Sequence, residues 1–222
     1  MRTIRTATFV SLDGVMQAPG GPEEDPRGGF RFGGWVFPFW DDALGGLMDG
    51  AMGEDYDLLL GRRTYEIFAA FWPHQDDDIG RAFTAANKYV VASPGTPTPW
   101  ANSHRLEGDV AEAVRALKAT EGRDLLIQGS SEVIHALLAA DLIDQMTVLT
   151  FPLVLGEGKR LFDSGSHPRV WSPVATEVTG KGVVVTTYRR DGEVPTGSFM
   201  DEATSDARQA RLERQAQAND EA

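Results

Sequence analysis

Between residues 56 and 150, short apolar runs alternate with segments in which apolar residues recur every three or four positions. The runs at residues 58–60 and 125–127 are followed closely by a glycine, a pattern that is typical of buried strands. The segments after them carry their apolar residues on one face, as amphipathic helices do. This alternation predicts a largely parallel sheet that is covered by helices.

The same reading predicts elements on either side of this region. The predicted strands are residues 3–12, 56–60, 88–93, 125–127, 143–151, 170–178 and 182–190. The predicted helices are residues 40–52, 62–71 and 79–86, with two more that begin near Asp109 and Ser130, whereas residues 96–103 predict a loop. The last two strands are joined by Thr179-Gly180-Lys181, which favours a hairpin turn. We therefore predict a three-layer α/β/α fold with a central mixed, mostly parallel sheet and a C-terminal antiparallel hairpin.

Two segments fall outside this pattern. Residues 13–38 are rich in glycine and proline but also carry several aromatic rings, which disordered segments lack. We predict an ordered wall or lid there, and the alternative is that the rings fill the core or a subunit interface. Residues 191–222 hold eight acidic residues against three arginines and few apolar residues. We predict one domain over residues 1–190 and a disordered or frayed helical tail over residues 191–222.

Composition narrows the function. The formal net charge of −12 disfavours nucleic acid and anionic membranes as partners, because both need a basic surface. The absence of cysteine excludes thiol nucleophiles and thiolate metal sites, and the four histidines have no metal-ligand spacing. The sequence shows no signal peptide and no apolar run of membrane-spanning length. These features predict a cytoplasmic protein without a bound metal.

Three strand ends carry residues that suit a phosphate group. Gly61-Arg62-Arg63-Thr64 places two guanidinium groups and a hydroxyl on the first turn of a helix, where N–H groups are free. Gly129-Ser130-Ser131 begins another helix, and Ser93 follows a third strand. Ligands of parallel sheets bind beyond the carboxyl ends of the strands, so these residues predict one nucleotide site. The alternative for Arg62 and Arg63 is that both are ordinary surface charges.

Four ordered motifs carry a family resemblance. They are SLDGVM at residues 11–16, LLLGRRTYEIF at 58–68, LLIQGSSEVIHALLAADLID at 125–144 and FPLVLGEGKRLF at 151–162. Together they resemble the dihydrofolate-reductase-like family, in the branch of the C-terminal domain of the riboflavin-biosynthesis deaminase–reductase. The resemblance implies an NADPH-dependent reductase of a small pyrimidine-, pterin- or ribose-like substrate, similar to 5-amino-6-(5-phosphoribosylamino)uracil reductase. It also implies a homodimer.

The resemblance assigns roles to the cofactor residues one by one. Gly61, Arg62 and Thr64 match the Gly-Arg-x-Thr motif that contacts the cofactor phosphates. Ser93 matches a position near the adenosine phosphate. Gly129, Ser130 and Ser131 match the diphosphate turn, although the family usually has Gly-Gly where this chain has Gly-Ser. Arg63 is expected to face solvent.

The substrate half of the site rests on fewer residues. Asp13 matches the Ser-x-Asp-Gly motif and is the candidate for substrate binding and catalysis, whereas its alternative role is to stabilise a turn before Gly14. Trp35 and Trp40 are candidates for substrate contacts from the aromatic loop. Lys159 is a candidate partner of a substrate phosphate or else a loop lysine in solvent. A second function remains open, a non-catalytic nucleotide- or flavin-binding dimeric module of the same fold.

Overall fold

A single eight-stranded sheet forms the centre of the protein. The computed structural model describes residues 1–198 and 206–220, of which Met1–Gly192 form one unit. The strands of this unit are β1 (Ile4–Ser11), β2 (Tyr56–Gly61), β3 (Lys88–Val91), β4 (Ser103–Leu106), β5 (Asp124–Ile127), β6 (Gln145–Phe151), β7 (Trp171–Val178) and β8 (Val184–Arg190). Their order is β4-β3-β2-β5-β1-β6-β8-β7. The first six strands in this order are parallel to one another, and β8 is antiparallel to both of its neighbours, β6 and β7. The predicted mixed sheet with a C-terminal antiparallel hairpin is confirmed.

Helices cover both faces of the sheet. They are α1 (Asp42–Met52), α2 (Arg62–Phe71), α3 (Asp78–Ala85), α4 (Val110–Ala119) and α5 (Ser131–Ala139). One buried cluster joins α1, α2 and α3 to the sheet, and a second joins α4 and α5 to it. These two apolar layers on opposite sides of the strands confirm the three-layer prediction.

Strand β4 differs from the expectation of a loop that ends at residue 103. It pairs in parallel with β3 at the edge of the sheet, from Ser103 to Leu106. Its residues are Ser, His, Arg and Leu, and all four are at least partly exposed. An edge strand that faces solvent needs no apolar alternation, so its sequence lacks the usual strand signal.

The glycine- and proline-rich segment after β1 is ordered by contacts to distant residues. Val15 forms an isolated bridge with Arg160, and Phe30 is buried in the core. Short 3-10 turns cover Arg27–Gly29 and Phe37–Phe39. The segment therefore forms one wall of the space above the carboxyl ends of the strands.

The second unit starts at Glu193, and its described part contains one helix, α6 (Asp206–Asp220). Residues 199–205 and 221–222 of the predicted tail lie outside the described residues. Among the residues described, we find no helix with the length and apolar character to span a membrane.

Candidate functional site

A cavity of about 750 Å³ opens at the carboxyl ends of the parallel strands. It is lined by residues that follow strand ends, by the segment after β1 and by the inner faces of α1 and α2. All seven residues predicted to bind the cofactor line it: Gly61, Arg62, Thr64, Ser93, Gly129, Ser130 and Ser131. The topology therefore brings the predicted phosphate residues of β2, β3 and β5 together.

The first turns of α2 and α5 are joined by two reciprocal hydrogen bonds. The backbone N–H of Gly61 donates to Ser130 Oγ at 3.0 Å, and the backbone N–H of Ser130 donates to Thr64 Oγ1 at 3.0 Å. Gly129 and Ser130 both have positive φ, at 59° and 55°. A Cβ on Gly129 would lie 3.2 Å from Thr64 Cγ2, so glycine allows this close approach.

The starts of α2 and α5 differ from those of the other helices in the Met1–Gly192 unit. Asp41, Asp77 and Asp109 accept hydrogen bonds from backbone N–H groups and so cap α1, α3 and α4. Within the described residues, no side chain caps α2 or α5. Uncapped first turns present free N–H groups and the positive end of the helix dipole, so this end of the cavity suits an anionic group.

Arginines at the same end are held by carboxylates. Arg62 Nη1 lies 2.7 and 2.9 Å from the two carboxylate oxygens of Glu66, one helical turn along α2. Arg63 Nη1 lies 3.2 Å from Glu132 Oε1 on α5, and both arginines are about half exposed. Arg63 is exposed, as expected, and it also lines the cavity and pairs with Glu132 across the two helices. A phosphate that entered would find two guanidinium groups within reach and would compete with two carboxylates.

Another part of the cavity wall contains a polar network that the sequence did not reveal. Gln17 is buried, its Nε2 donates to the carbonyls of Asp25 and Arg27, and its Oε1 accepts from the N–H of Lys159 at 3.0 Å. Lys159 Nζ lies 3.0 Å from Asp25 Oδ2. Gln17 thus holds the segment after β1 against the loop that follows β6.

Two neighbouring acids of this wall have opposite electrostatics. Burial raises the pKa of Asp25, but the hydrogen bonds from Arg27 and Lys159 outweigh it and lower that pKa to about 2. Burial raises the pKa of Glu24 above its ordinary value, against the hydrogen bond from the N–H of Gly20. Glu24 therefore holds a proton more readily than Asp25 does.

Residues 2–185 match the model of the RibD C-terminal domain family. The chain belongs to the RibD C-terminal domain family. Its relatives include the uncharacterized proteins YyaP and YwjB of Bacillus subtilis (strain 168). YyaP is 26% identical over 141 residues, which cover 61% of this chain and 74% of YyaP. YwjB is 28% identical over 159 residues, which cover 69% of this chain and 78% of YwjB.

Solved structures of reductase type share the fold of this RibD C-terminal domain. A candidate riboflavin biosynthesis protein from Shewanella sp. PV-4 has a TM-score of 0.60 at 21% identity, covering 85% of this chain and 99% of its own. A pyrimidine reductase-like protein from Corynebacterium diphtheriae has a TM-score of 0.59 at 12% identity, and the match covers 86% of this chain and 93% of that protein. Dihydrofolate reductase from Enterococcus faecalis, complexed with NADP(H), has a TM-score of 0.54 at 19% identity, and the match covers 85% of this chain and 96% of that enzyme. At these identities the likeness concerns the fold.

The structure does not place Asp13, the residue predicted to bind substrate and to act in catalysis, at the cavity. It is absent from the described residues that line the cavity. Its carboxylate accepts hydrogen bonds from Ser11 Oγ at 2.6 Å and from the N–H groups of Leu155 and Gly156 at 3.1 and 2.9 Å. The bond from Ser11 is the main cause that lowers the pKa of Asp13 far below its ordinary value. Asp13 thus joins the end of β1 to the loop after β6 as an ionised acceptor, which does not suit a proton relay.

Of the two tryptophans predicted to contact substrate, the structure places only Trp40 at the cavity. Trp35 is 7% exposed, donates from Nε1 to the carbonyl of Gln17 at 2.8 Å and packs edge-on against Phe151. Trp35 is therefore a core residue, because its ring and its N–H are both engaged inside the protein. Trp40 lines the cavity, is 40% exposed and packs edge-on against Phe9.

Among residues 1–198 and 206–220, no group of three or more His, Asp or Glu side chains is placed to hold a metal ion. The cavity therefore combines an anion-binding end, an acidic wall residue and an apolar remainder.

Proposed function

We propose that this protein is an NADPH-dependent reductase of a small pyrimidine-, pterin- or ribose-like substrate. The observation that carries the proposal is the meeting of two uncapped helix starts, α2 and α5, with Arg62 and Arg63 in one cavity. Membership of the RibD C-terminal domain family supports it. So does the shared fold with a dihydrofolate reductase that is complexed with NADP(H).

The residues of the cavity fit a dinucleotide cofactor. The free N–H groups of α2 and α5 and the two arginines would hold its phosphates, and Ser93 would lie toward the adenosine end. Gly129 has no Cβ, so its backbone is open to close approach, and a Cβ there would lie only 3.2 Å from Thr64 Cγ2. The cofactor would supply a hydride, while the protein supplies position and electrostatics.

Reduction of a double bond also needs a proton at the atom that does not receive the hydride. Three carboxylates line the cavity: Glu24, Asp25 and Glu132. Asp25 is held by Lys159, and Glu132 is exposed and paired with Arg63. We propose Glu24 as the proton donor, because it is half-buried in the wall and burial raises its pKa above the ordinary value, against the hydrogen bond from the N–H of Gly20. Solvent would restore its proton after each turnover.

The direct test is titration of the purified full-length chain with NADPH and with NADH, followed by calorimetry. Saturable binding of NADPH is expected. Absence of binding for both nucleotides at millimolar concentration would refute the reductase.

A second function, a non-catalytic nucleotide- or flavin-binding module, is favoured by one observation. Asp13 of the Ser-x-Asp-Gly motif is engaged in structural hydrogen bonds outside the cavity. Titration with flavin mononucleotide separates the two proposals. Flavin that binds and displaces NADPH, with no oxidation of NADPH by any small carbonyl or imine compound, would favour the binding module.

We also propose a homodimer. Strand β7 is at an edge of the sheet, and its Val174 and Val178 are 49% and 65% exposed. An edge strand with exposed valines is a site for pairing unless it is covered. Light scattering should give twice the chain mass, and glutamate at both valines should give the monomer mass. A monomer mass for the unaltered chain would refute the dimer.

A further inference from the structure

The cavity continues from its anion-binding end along the inner face of α2. Thr64, Phe68 and Trp72 line it and are spaced four residues apart, so they share one face of the helix and the turn that follows. At 1.5 Å per residue, Trp72 lies about 12 Å along the axis from Thr64. The anion-binding residues and the far end of the cavity are therefore separate regions.

Aromatic rings form one side of this far end. The Phe68 ring stacks on Phe83 with centroids 5.6 Å apart, and Trp72 packs edge-on against Phe83 at 5.0 Å. Phe83 is 1% exposed and contacts both of the other rings, so it holds them in place. The rings are held by one another, which favours a preformed surface.

Two methionines also belong to this lining. Met48 and Met52 on α1 line the cavity and are 6% and 5% exposed. Unbranched thioether side chains adapt to rings of different outline and make favourable contacts with aromatic groups. We name the region lined by Met48, Met52, Phe68, Trp72 and Phe83 the apolar end of the cavity.

Charge is distributed unevenly along the cavity. Its cations are Arg27, Arg62, Arg63 and Lys159, and each pairs with a carboxylate. They lie on the segment after β1, on the first turn of α2 and on the loop after β6. Among the described residues that line the cavity, α1, α3 and the rest of α2 contribute no charged side chain. A phosphate at the apolar end would lose its hydration without a partner, which is costly.

We propose that the apolar end binds an uncharged, planar, conjugated ring system, so that the substrate is a neutral aromatic or quinone-like compound and not a phosphorylated sugar. The reductase chemistry in this statement rests on the proposed function, whereas the ligand class rests on the cavity alone. Between aromatic rings and methionines, a neutral ring gains contact area and has no charge to desolvate.

The test uses menadione as the neutral probe, ribose 5-phosphate as the phosphorylated one, and calorimetry on the full-length chain. Menadione should bind, and ribose 5-phosphate at millimolar concentration should not displace it. Phe68→Ala should weaken menadione binding about tenfold, in line with the loss of one aromatic contact surface. Phe162→Ala is the control, because Phe162 is the same residue type, 50% exposed and outside the lining. It should leave the affinity within about twofold.

Three results would overturn the proposal: no menadione binding, displacement by ribose 5-phosphate, or equal losses in both variants. If Phe68→Ala does not fold, Trp72→Leu at the half-buried neighbour replaces it. Titration of the same samples with NADPH tests the proposed reductase function separately from the proposed apolar site. Menadione binding without NADPH binding would refute the reductase and keep the apolar site, and the reverse would refute the apolar site and keep the reductase.

Discussion

The hydroxyl of Thr64 on α2 accepts a hydrogen bond from the backbone N–H of Ser130 at the start of α5, at 3.0 Å. The Ser130 hydroxyl in turn accepts from the N–H of Gly61 at 3.0 Å. Two side-chain oxygens therefore join two helix starts, of which Gly61 and Ser130 are 69 residues apart in the chain.

Removing the Thr64 hydroxyl should loosen this junction. Thr64→Val keeps the shape of the side chain but leaves the Ser130 N–H without its acceptor, which should cost about 1–2 kcal/mol of unfolding free energy. Urea unfolding measures the loss, and NADPH binding should weaken in the same variant. Thr64→Ser retains the oxygen and is the control. Equal stability of the valine variant and the unaltered chain would contradict the role of the bond.

Two substitutions at Ser130, the N-cap of α5, should differ in stability. Ser130→Ala and Ser130→Gly both remove the acceptor for the Gly61 N–H. The residue has φ of 55°, where a Cβ is unfavourable by about 1 kcal/mol and glycine is not. We expect the glycine variant to be the more stable of the two by thermal unfolding, because glycine tolerates the positive φ and is also preferred to alanine at the N-cap of a helix. An alanine variant that is equal or superior would show that the positive φ is not maintained.

These two residues illustrate what the sequence can predict. Gly61 is the last residue of β2, and Ser93 and Gly129 come two residues after β3 and β5. Parallel strands bring such positions to one edge, so local patterns predicted residues that line the anion-binding end. The spacing of four from Thr64 to Phe68 does not by itself indicate the apolar end of the cavity, because apolar residues at helical spacing are ordinary core residues in most proteins.

Other parts of the site could not be predicted because they depend on contacts between distant residues. Asp25 takes its place from Gln17 and from Lys159, which is 134 residues away. Asp13 resembled a cleft residue within its motif, but its partners Leu155 and Gly156 lie 142 and 143 residues along the chain. Only the fold shows that Asp13 meets these partners, which are absent from the described residues that line the cavity.

Arg62 should contribute directly to phosphate binding. Arg62→Ala should weaken NADPH binding by about 1.5–3 kcal/mol, the range for a hydrogen bond to a charged group. Glu66→Gln should strengthen it by about twofold, because an exposed pair one turn apart contributes only a few tenths of a kcal/mol. Arg81→Ala on α3 is the control, since Arg81 is exposed and outside the cavity lining. Unchanged affinity in Arg62→Ala would mean that Arg62 is a surface charge.

Asp13 should stabilise the fold in a pH-dependent way. Its lowered pKa means that its contribution is present above its ordinary value of 3.8 and is lost as the pH falls below that value. Asp13→Asn should cost about 1–3 kcal/mol at pH 7, because an amide cannot accept from every donor around it. The difference between the two proteins should shrink in urea unfolding at pH 3. A variant that folds normally but cannot reduce a substrate would instead restore the catalytic role.

At Glu24, the free energy of unfolding should change with pH in the opposite direction. Burial raises its pKa above the ordinary value of 4.5, so the folded chain holds a proton at Glu24 that the unfolded chain has already released. Stability at this site is therefore lost as the pH rises above 4.5. Glu24→Gln cannot ionise, so its stability relative to the unaltered chain should be greater at pH 8 than at pH 5.

The neighbouring Asp25 provides the control for this measurement. Hydrogen bonds from Arg27 and Lys159 lower its pKa to about 2, so Asp25→Asn should be less stable than the unaltered chain at pH 5 and at pH 8. Urea unfolding of the two variants at both values separates the two acids. If Glu24→Gln gains nothing between pH 5 and pH 8, Glu24 is an ordinary ionised residue. It would then hold no proton to donate near neutral pH, and the proton for reduction would have to come from water.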